Sequence, residues 1–399
     1  MGSFEVKETC GRARTGTFLS RFDTPNLLMY ARRGFPSPLT LRDLDNLGDS
    51  NTGLVQVAAP DFLDTPASVI ASCEDGLKEF CGLKGRKEAM ILTLRDAFST
   101  QCGMPASDGW VTVSCFGGQK KMELDKYFAM VQAMRPEVAE CLPDEVASDA
   151  ALKRVRKSVD RSIEFTDACI KARSDGKLPQ STRLFGVVAG GLDERERARS
   201  AQEVAKRAVD GFSVCGLGTG ETARERWAVL EAVVGVLPQG KPRALHGPGT
   251  PEEVLAAVAL GVDLLESSYP SLLTSQSTAI VYPVSYAHVM EEEGAGGGAG
   301  ARQEAREAVV CGKLNLRDST LCRDAGPILA GCQCFACGKH TRAYIHHLIN
   351  TREILGDVLL HIHNQHHYAQ FFGAIRESIR TGTFEAYSAR FLEKRKHMR

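Results

Sequence analysis

The sequence lacks a charge bias, a disulfide framework and any long apolar run, and each absence narrows what the chain can be. Lys and Arg number 49 and Asp and Glu 49, so the formal net charge is zero. Contact with nucleic acid must then come from local basic patches, not from overall attraction. The 13 cysteines are an odd number, and most are scattered singly between Cys10 and Cys322. That is not the spacing of a disulfide-stapled secreted domain, and it fits a reducing compartment. No apolar run approaches the roughly 20 residues of a membrane span. The start, Met1-Gly-Ser-Phe-Glu-Val-Lys-Glu, lacks the apolar core of a signal peptide. The expectation is a cytoplasmic chain with no integral membrane segment.

What is present is 399 residues, 43% of them hydrophobic, in which strand and helix patterns alternate. The first 60 residues read as short strands and turns, with a short helix around Leu39–Leu47 capped by Thr40. Val69–Phe80 reads as one helix and Ala89–Leu94 as a buried strand. Residues 95–109 read as loop, and Trp110–Phe116 as a strand ended by Gly117-Gly118. Strand–helix pairs then follow at intervals of about 25–35 residues. Their strands are Val138–Leu142, Leu184–Val188, Gly211–Cys215, Pro242–His246 and Val262–Glu266. Their helices are Leu124–Met134, Asp149–Arg173, Asp193–Val209, Thr222–Val236 and Pro251–Ala259. So many βα units in series predict a (β/α)8 barrel, with its active face at the strand C-terminal ends. The barrel is expected over 1–310, including a glycine-rich loop near 291–301. Residues 311–399 are expected to form a metal-binding subdomain with helices over Thr341–Leu355, 357–379 and 383–395.

The densest chemistry lies in that last segment. Cys332-Gln-Cys334-Phe-Ala-Cys337 places three thiols within six residues. A histidine-rich run follows, His361-Ile-His363-Asn-Gln-His366-His367. Three thiolates from a tight turn plus one imidazole from a following helix make a tetrahedral zinc set, so one Zn2+ per chain is expected. His363, His366 and His367 all compete for the fourth position. Without metal, the three cysteines would be reduced structural residues in a cysteine-rich chain.

Taken with His340-Thr-Arg-Ala-Tyr-Ile-His-His-Leu-Ile and Leu359-Leu-His-Ile-His-Asn, the cysteine block resembles the zinc subdomain of tRNA-guanine transglycosylases, the queuine tRNA-ribosyltransferase family. Further matches are Gly11-Arg-Ala-Arg-Thr-Gly, Leu184-Phe-Gly-Val-Val-Ala-Gly-Gly, Cys215-Gly-Leu-Gly-Thr-Gly-Glu and Gly261-Val-Asp-Leu-Leu-Glu, in family order. The resemblance implies a (β/α)8 barrel and guanine-for-queuine exchange at the wobble position of tRNAs with GUN anticodons, those for Asp, Asn, His and Tyr. It also implies His363 as the fourth zinc ligand.

The departures from the family pattern bear on activity. The carboxylate nucleophile of the family falls on Glu266 in Leu265-Glu-Ser-Ser-Tyr-Pro, one methylene longer than the family's Asp. Displacing an attacking atom by about 1 Å costs about 100-fold in rate. The general acid/base Asp falls on Leu94, which has no proton to transfer. Sliding the alignment to Asp96 would leave the family's glycine loop unmatched. The base-side positions are kept: Asp144, the strand end Gly190-Gly191, and Glu221. Asp144 either contacts a base or caps the following helix. The glycines either admit a base or turn the chain off a strand. Lys153, Arg154, Arg156, Lys157 and Arg161 form a basic helix stretch, read as a solvated face with tRNA backbone contact as the alternative. This pattern resembles the non-catalytic accessory subunit of the eukaryotic enzyme. It implies a heterodimer with a catalytic subunit, contact with tRNA, queuine as a candidate ligand, and peripheral association with the mitochondrial outer membrane. The alternative is a self-sufficient transglycosylase that uses Glu266.

Overall fold

Eight short apolar segments set the architecture. The computed structural model describes residues 4–48, 52–98, 104–115, 117–247, 249–291 and 309–398. The segments are Asn26–Ala31 (β1), Leu54–Ala58 (β2), Ala89–Thr93 (β3), Val138–Glu140 (β4), Arg183–Val188 (β5), Gly211–Val214 (β6), Arg243–Leu245 (β7) and Leu264–Ser267 (β8). Each pairs in parallel with the next, and β8 returns to β1 with Leu264 opposite Asn26 and Ser267 opposite Met29, closing the barrel. Strands buried on both faces need nearly continuous apolar runs, which these are. The eight-stranded parallel barrel expected from the alternation is therefore present.

The chain's helix-start signals work as written. Asp193 accepts the amide of Glu196 and starts Glu194–Ala205. Thr222 with Glu225, and Thr250 with Glu253, form capping boxes for Ala223–Val234 and Pro251–Ala259, the latter opening on Pro251. At the N-terminal end of the barrel, Phe4, Phe18 and Phe22 pack with strand-start residues Leu54, Ala89, Val138 and Leu264. Arg14 of the Gly11–Gly16 motif makes a buried bidentate pair with Asp263, at 2.8 and 2.6 Å, just ahead of β8.

Three expectations need correction. Val69–Phe80 is two short helices, Ala67–Ala71 and Leu77–Phe80. They are divided at Gly76, whose φ is +57° and whose missing Cβ would lie 2.5 Å from the Met134 carbonyl. Gly118 does not close a strand; it opens a second one, Gly118–Glu123, which pairs antiparallel with Trp110–Cys115. The helix expected over Thr341–Leu355 stops at Asn350, and Arg352 turns the chain with φ +59° before a new helix begins at Ile354. The glycine-rich loop near 291–301 lies outside the described residues, apart from Glu291.

The chain divides into two compact units. One comprises Met1–Lys7, Gly11–Pro36 and Gly53–Ser267, and holds the barrel. The other comprises Glu8–Cys10, Ser37–Thr52 and Ser268–Arg399. In the second unit, strand Thr278–Ile280 pairs antiparallel with Lys313–Asn315. Around them stand helices Phe335–Lys339, Arg342–Asn350, Ile354–Arg380 and Phe384–His397. Leu314, Leu316, Ile328, Ile345, Leu348 and Leu359 form the core. Among the described residues, no helix is long and apolar enough to cross a membrane.

Candidate functional site

In the second unit the turn before Phe335–Lys339 carries Cys332 and Cys334, and the short helix itself carries Cys337, so that three thiols gather beside His363 of the Ile354–Arg380 helix. Cys334 is the N-cap of the short helix, and its sulfur accepts the Cys337 amide at 3.3 Å. The donor atoms of Cys332, Cys334, Cys337 and His363 all lie within 4.8 Å of one another, a set able to hold a metal ion. His363 Nδ1 stands 3.8, 3.5 and 3.3 Å from the three sulfurs in that order. Its Nε2 donates to the Ile280 carbonyl at 2.8 Å, which leaves Nδ1 bare toward the sulfurs.

The next residue fixes the helix in place. Asn364 accepts the Ile280 amide at 2.9 Å and donates to the Thr278 carbonyl at 3.0 Å and the Thr274 hydroxyl at 3.1 Å. His367 stacks on His363 and donates through Nε2 to the Tyr282 carbonyl at 2.6 Å, so it is engaged elsewhere. His361 faces Thr274 away from the sulfurs, and burial pulls its basicity down to about 4. His366 stays half-buried beside Cys332. Of the three histidines open from the sequence, His363 meets all three thiols.

In the barrel unit, polar residues collect at the strand C-terminal ends. Glu266 on β8 is 2% exposed. One carboxylate oxygen meets His246 Nδ1 at 2.7 Å and the other accepts the Gln56 amide. The opposite edge of His246 meets the Glu140 carboxylate on β4 and, at 2.9 Å, the Ser213 hydroxyl on β6. Burial disfavours an imidazolium here, but Glu140 and Glu266 on its two sides hold its proton well above the ordinary 6.5. Against the same burial, His246 keeps the Glu266 carboxyl below its usual value. The result is a closed Glu140–His246–Glu266 triad. Glu140, Ser213, His246 and Gln56 carry no motif that marks them in the sequence. A census of polar residues at successive strand ends was the available signal.

The base-side positions are also engaged. Asp144 is held by Arg154, at 2.9 and 2.5 Å, and by Arg161 at 2.6 Å. It caps nothing: the following helix is Leu152–Ser174, with Ala151 at its N-cap. Arg154 and Arg161 thus leave the basic face expected of them, while Lys153, Arg156 and Lys157 stay exposed. Glu221 accepts the amides of Gly218 and Thr219 and the Arg226 guanidinium. Against burial, these contacts bring its carboxyl down to about 2. A Cβ on Gly190, at φ +144°, would meet the Arg197 backbone at 2.9 Å, and one on Gly191 would meet Val146 at 3.2 Å. Arg197 is buried and bonds the carbonyls of Gly191, Val188 and Cys215, closing the ends of β5 and β6. Leu94 is buried just past β3. Asp96 is tied to the Tyr30 hydroxyl and the Phe98 amide.

Residues 9–397 match the family model described as Queuine tRNA-ribosyltransferase. Among curated proteins, the chain is 34% identical over 382 residues to "Queuine tRNA-ribosyltransferase accessory subunit 2" of Homo sapiens, covering 90% of each chain. The Xenopus tropicalis protein of the same name is 33% identical over 385 residues, with 91% of each chain covered. The Danio rerio protein is 30% identical over 391 residues, covering 94% of this chain and 92% of the relative.

Proposed function

The chain belongs to the queuine tRNA-ribosyltransferase family, and from that premise we propose that it is the non-catalytic, zinc-carrying subunit of a heterodimeric queuine tRNA-ribosyltransferase. The observation that carries this reading is the state of Glu266. A nucleophile that attacks a ribose C1′ needs a free carboxylate oxygen facing its substrate. Here one oxygen is bound by Gln56 and the other by His246, inside a buried network. Leu94, at the acid/base position, can move no proton. Asp144 and Glu221, at the base-side positions, are engaged by arginines. Base exchange therefore falls to the catalytic partner, and this chain supplies a folded surface for that partner and for tRNA.

Two features support these contacts. His340 lies between Phe335 and Tyr344, with ring centroids 5.9 and 5.5 Å away, in the same unit as Ile354, which is 74% exposed. Exposed aromatic and aliphatic groups of this kind suit a subunit interface. Lys153, Arg156 and Lys157 offer exposed cations for tRNA phosphates.

The cysteine cluster fits zinc on its donor chemistry. With Zn–S about 2.3 Å and Zn–N about 2.0–2.1 Å, a tetrahedral ion sets S···N edges of roughly 3.6 Å. The His363 edges of 3.3 to 3.8 Å bracket that value. Three thiolates and one imidazole fill all four positions, which is the pattern of a structural site. Bound zinc would fasten the 332–337 turn to the Ile354–Arg380 helix.

The test is base exchange by the purified chain, alone and with its catalytic partner. The expected result is no incorporation of queuine or guanine into tRNA by the chain alone, and incorporation by the pair. Incorporation by the chain alone, abolished by Glu266→Gln, would overturn the proposal.

A further inference from the structure

A buried metal site needs a way in, and the second unit contains a candidate route. Cys334 and His363 are 2% and 0% exposed, so neither can meet an incoming hydrated ion. Cys332 is half-buried and lines a cavity of about 560 Å³. None of the other three cluster residues lines it. His366, Gln333 and Gln370 line the same cavity, as do the apolar Val281 and Val284. His366 is half-buried, like Cys332. His367 also lines the cavity, but its Nε2 is committed to the Tyr282 carbonyl.

A divalent ion sheds its water stepwise. Each lost water must be replaced by a protein donor, or the charge is left poorly solvated in a low dielectric. A half-exposed thiolate and a half-exposed imidazole can supply the first two donors. His366 and His363 are three residues apart on one helix and therefore neighbours on one face. The ion need only move by about one helical turn to reach Cys334 and His363.

We propose that Cys332 and His366 form the entrance through which zinc is loaded and exchanged, with His366 a transient ligand and not a resident one. This rests on reading the cysteine cluster as a zinc site. A transient ligand stabilises the state between bound and free, and so accelerates loading and release equally. A resident ligand, or a residue that merely supports the fold, changes affinity instead.

The experiment uses the full chain. Zinc release to excess chromophoric chelator and reloading of the stripped chain are timed, and stoichiometry and Kd are measured separately. His366→Ala should slow both directions by roughly tenfold, equivalent to a barrier higher by about 1.4 kcal/mol. Stoichiometry and Kd should stay unchanged. His366→Cys, which places another soft donor there, should restore the rates. Ala330→Trp adds bulk at an exposed position of the cavity wall and should also slow both directions with all ligands intact. Unchanged rates in His366→Ala overturn the proposal, as do faster release and weaker Kd. A wild-type chain that takes up no zinc overturns the metal reading itself, and with it the entrance.

Discussion

Replacing His246 by Gln removes the cation that bridges Glu140 and Glu266 in the barrel network. At charge separations near 4 Å and an effective dielectric near 20, each carboxylate–imidazolium pair attracts by about 4 kcal/mol. Much of that is offset by the desolvation of three buried ions, so the net worth of the triad is small. Breaking it is different, because two carboxylates are left buried without the cation they shared. The expected loss is about 3–5 kcal/mol. Both tryptophans, Trp110 and Trp227, lie in the barrel unit, so urea unfolding followed by tryptophan fluorescence reports on that unit alone. The triple variant Glu140→Gln, His246→Gln, Glu266→Gln keeps the shapes without the charges and should recover most of the loss.

The pH dependence has a definite sign. His246 has a raised folded-state value, so its contribution is complete below about pH 6.5 and is lost as pH rises through its folded value. Glu266 has a depressed value, so its contribution is complete above about pH 4.5 and is lost as pH falls through its folded value. The triad should therefore help most between these limits. A His246→Gln chain within about 1 kcal/mol of wild type at pH 6 would refute the charge pairing. A triple variant as unstable as the single one would assign the loss to packing.

Cys334→Ser should abolish binding of about one zinc per chain, read by metal analysis, and should lower the melting temperature of the second unit. Full zinc occupancy in a stable variant would remove the cluster from consideration. Asp144→Asn should cost about 3 kcal/mol in urea unfolding, because Arg161 is left buried without its carboxylate. A loss of queuine binding with unchanged stability would contradict that assignment. Leu94→Asp combined with Glu266→Asp restores the family's residue types, yet should confer no base exchange on the chain alone. The carboxylate at 266 would still face His246.

Local and periodic information was enough for the frame. Apolar runs closed by glycine or polar residues marked the βα units, and Thr40 marked a helix start that its capping hydrogen bonds bear out. The thiol spacing of Cys332, Cys334 and Cys337 marked a cluster, because one turn of chain brings those residues together whatever the rest does. Interactions across the fold were not legible in the same way. Val69–Phe80 has helical spacing throughout, yet the first helix ends at Ala71 and the second starts from Gly76, whose positive φ and close approach to the Met134 carbonyl belong to the tertiary fold. Asp144 was open between a base contact and a cap, and neither reading foresaw Arg154 and Arg161 pairing with it. Glu140, His246 and Glu266 span 126 residues of chain and meet only because β4, β7 and β8 end at one mouth. The resemblance placed a carboxylate at 266. Whether that carboxylate is free or paired depends on distances of about 3 Å between side chains from different strands, which only barrel closure sets.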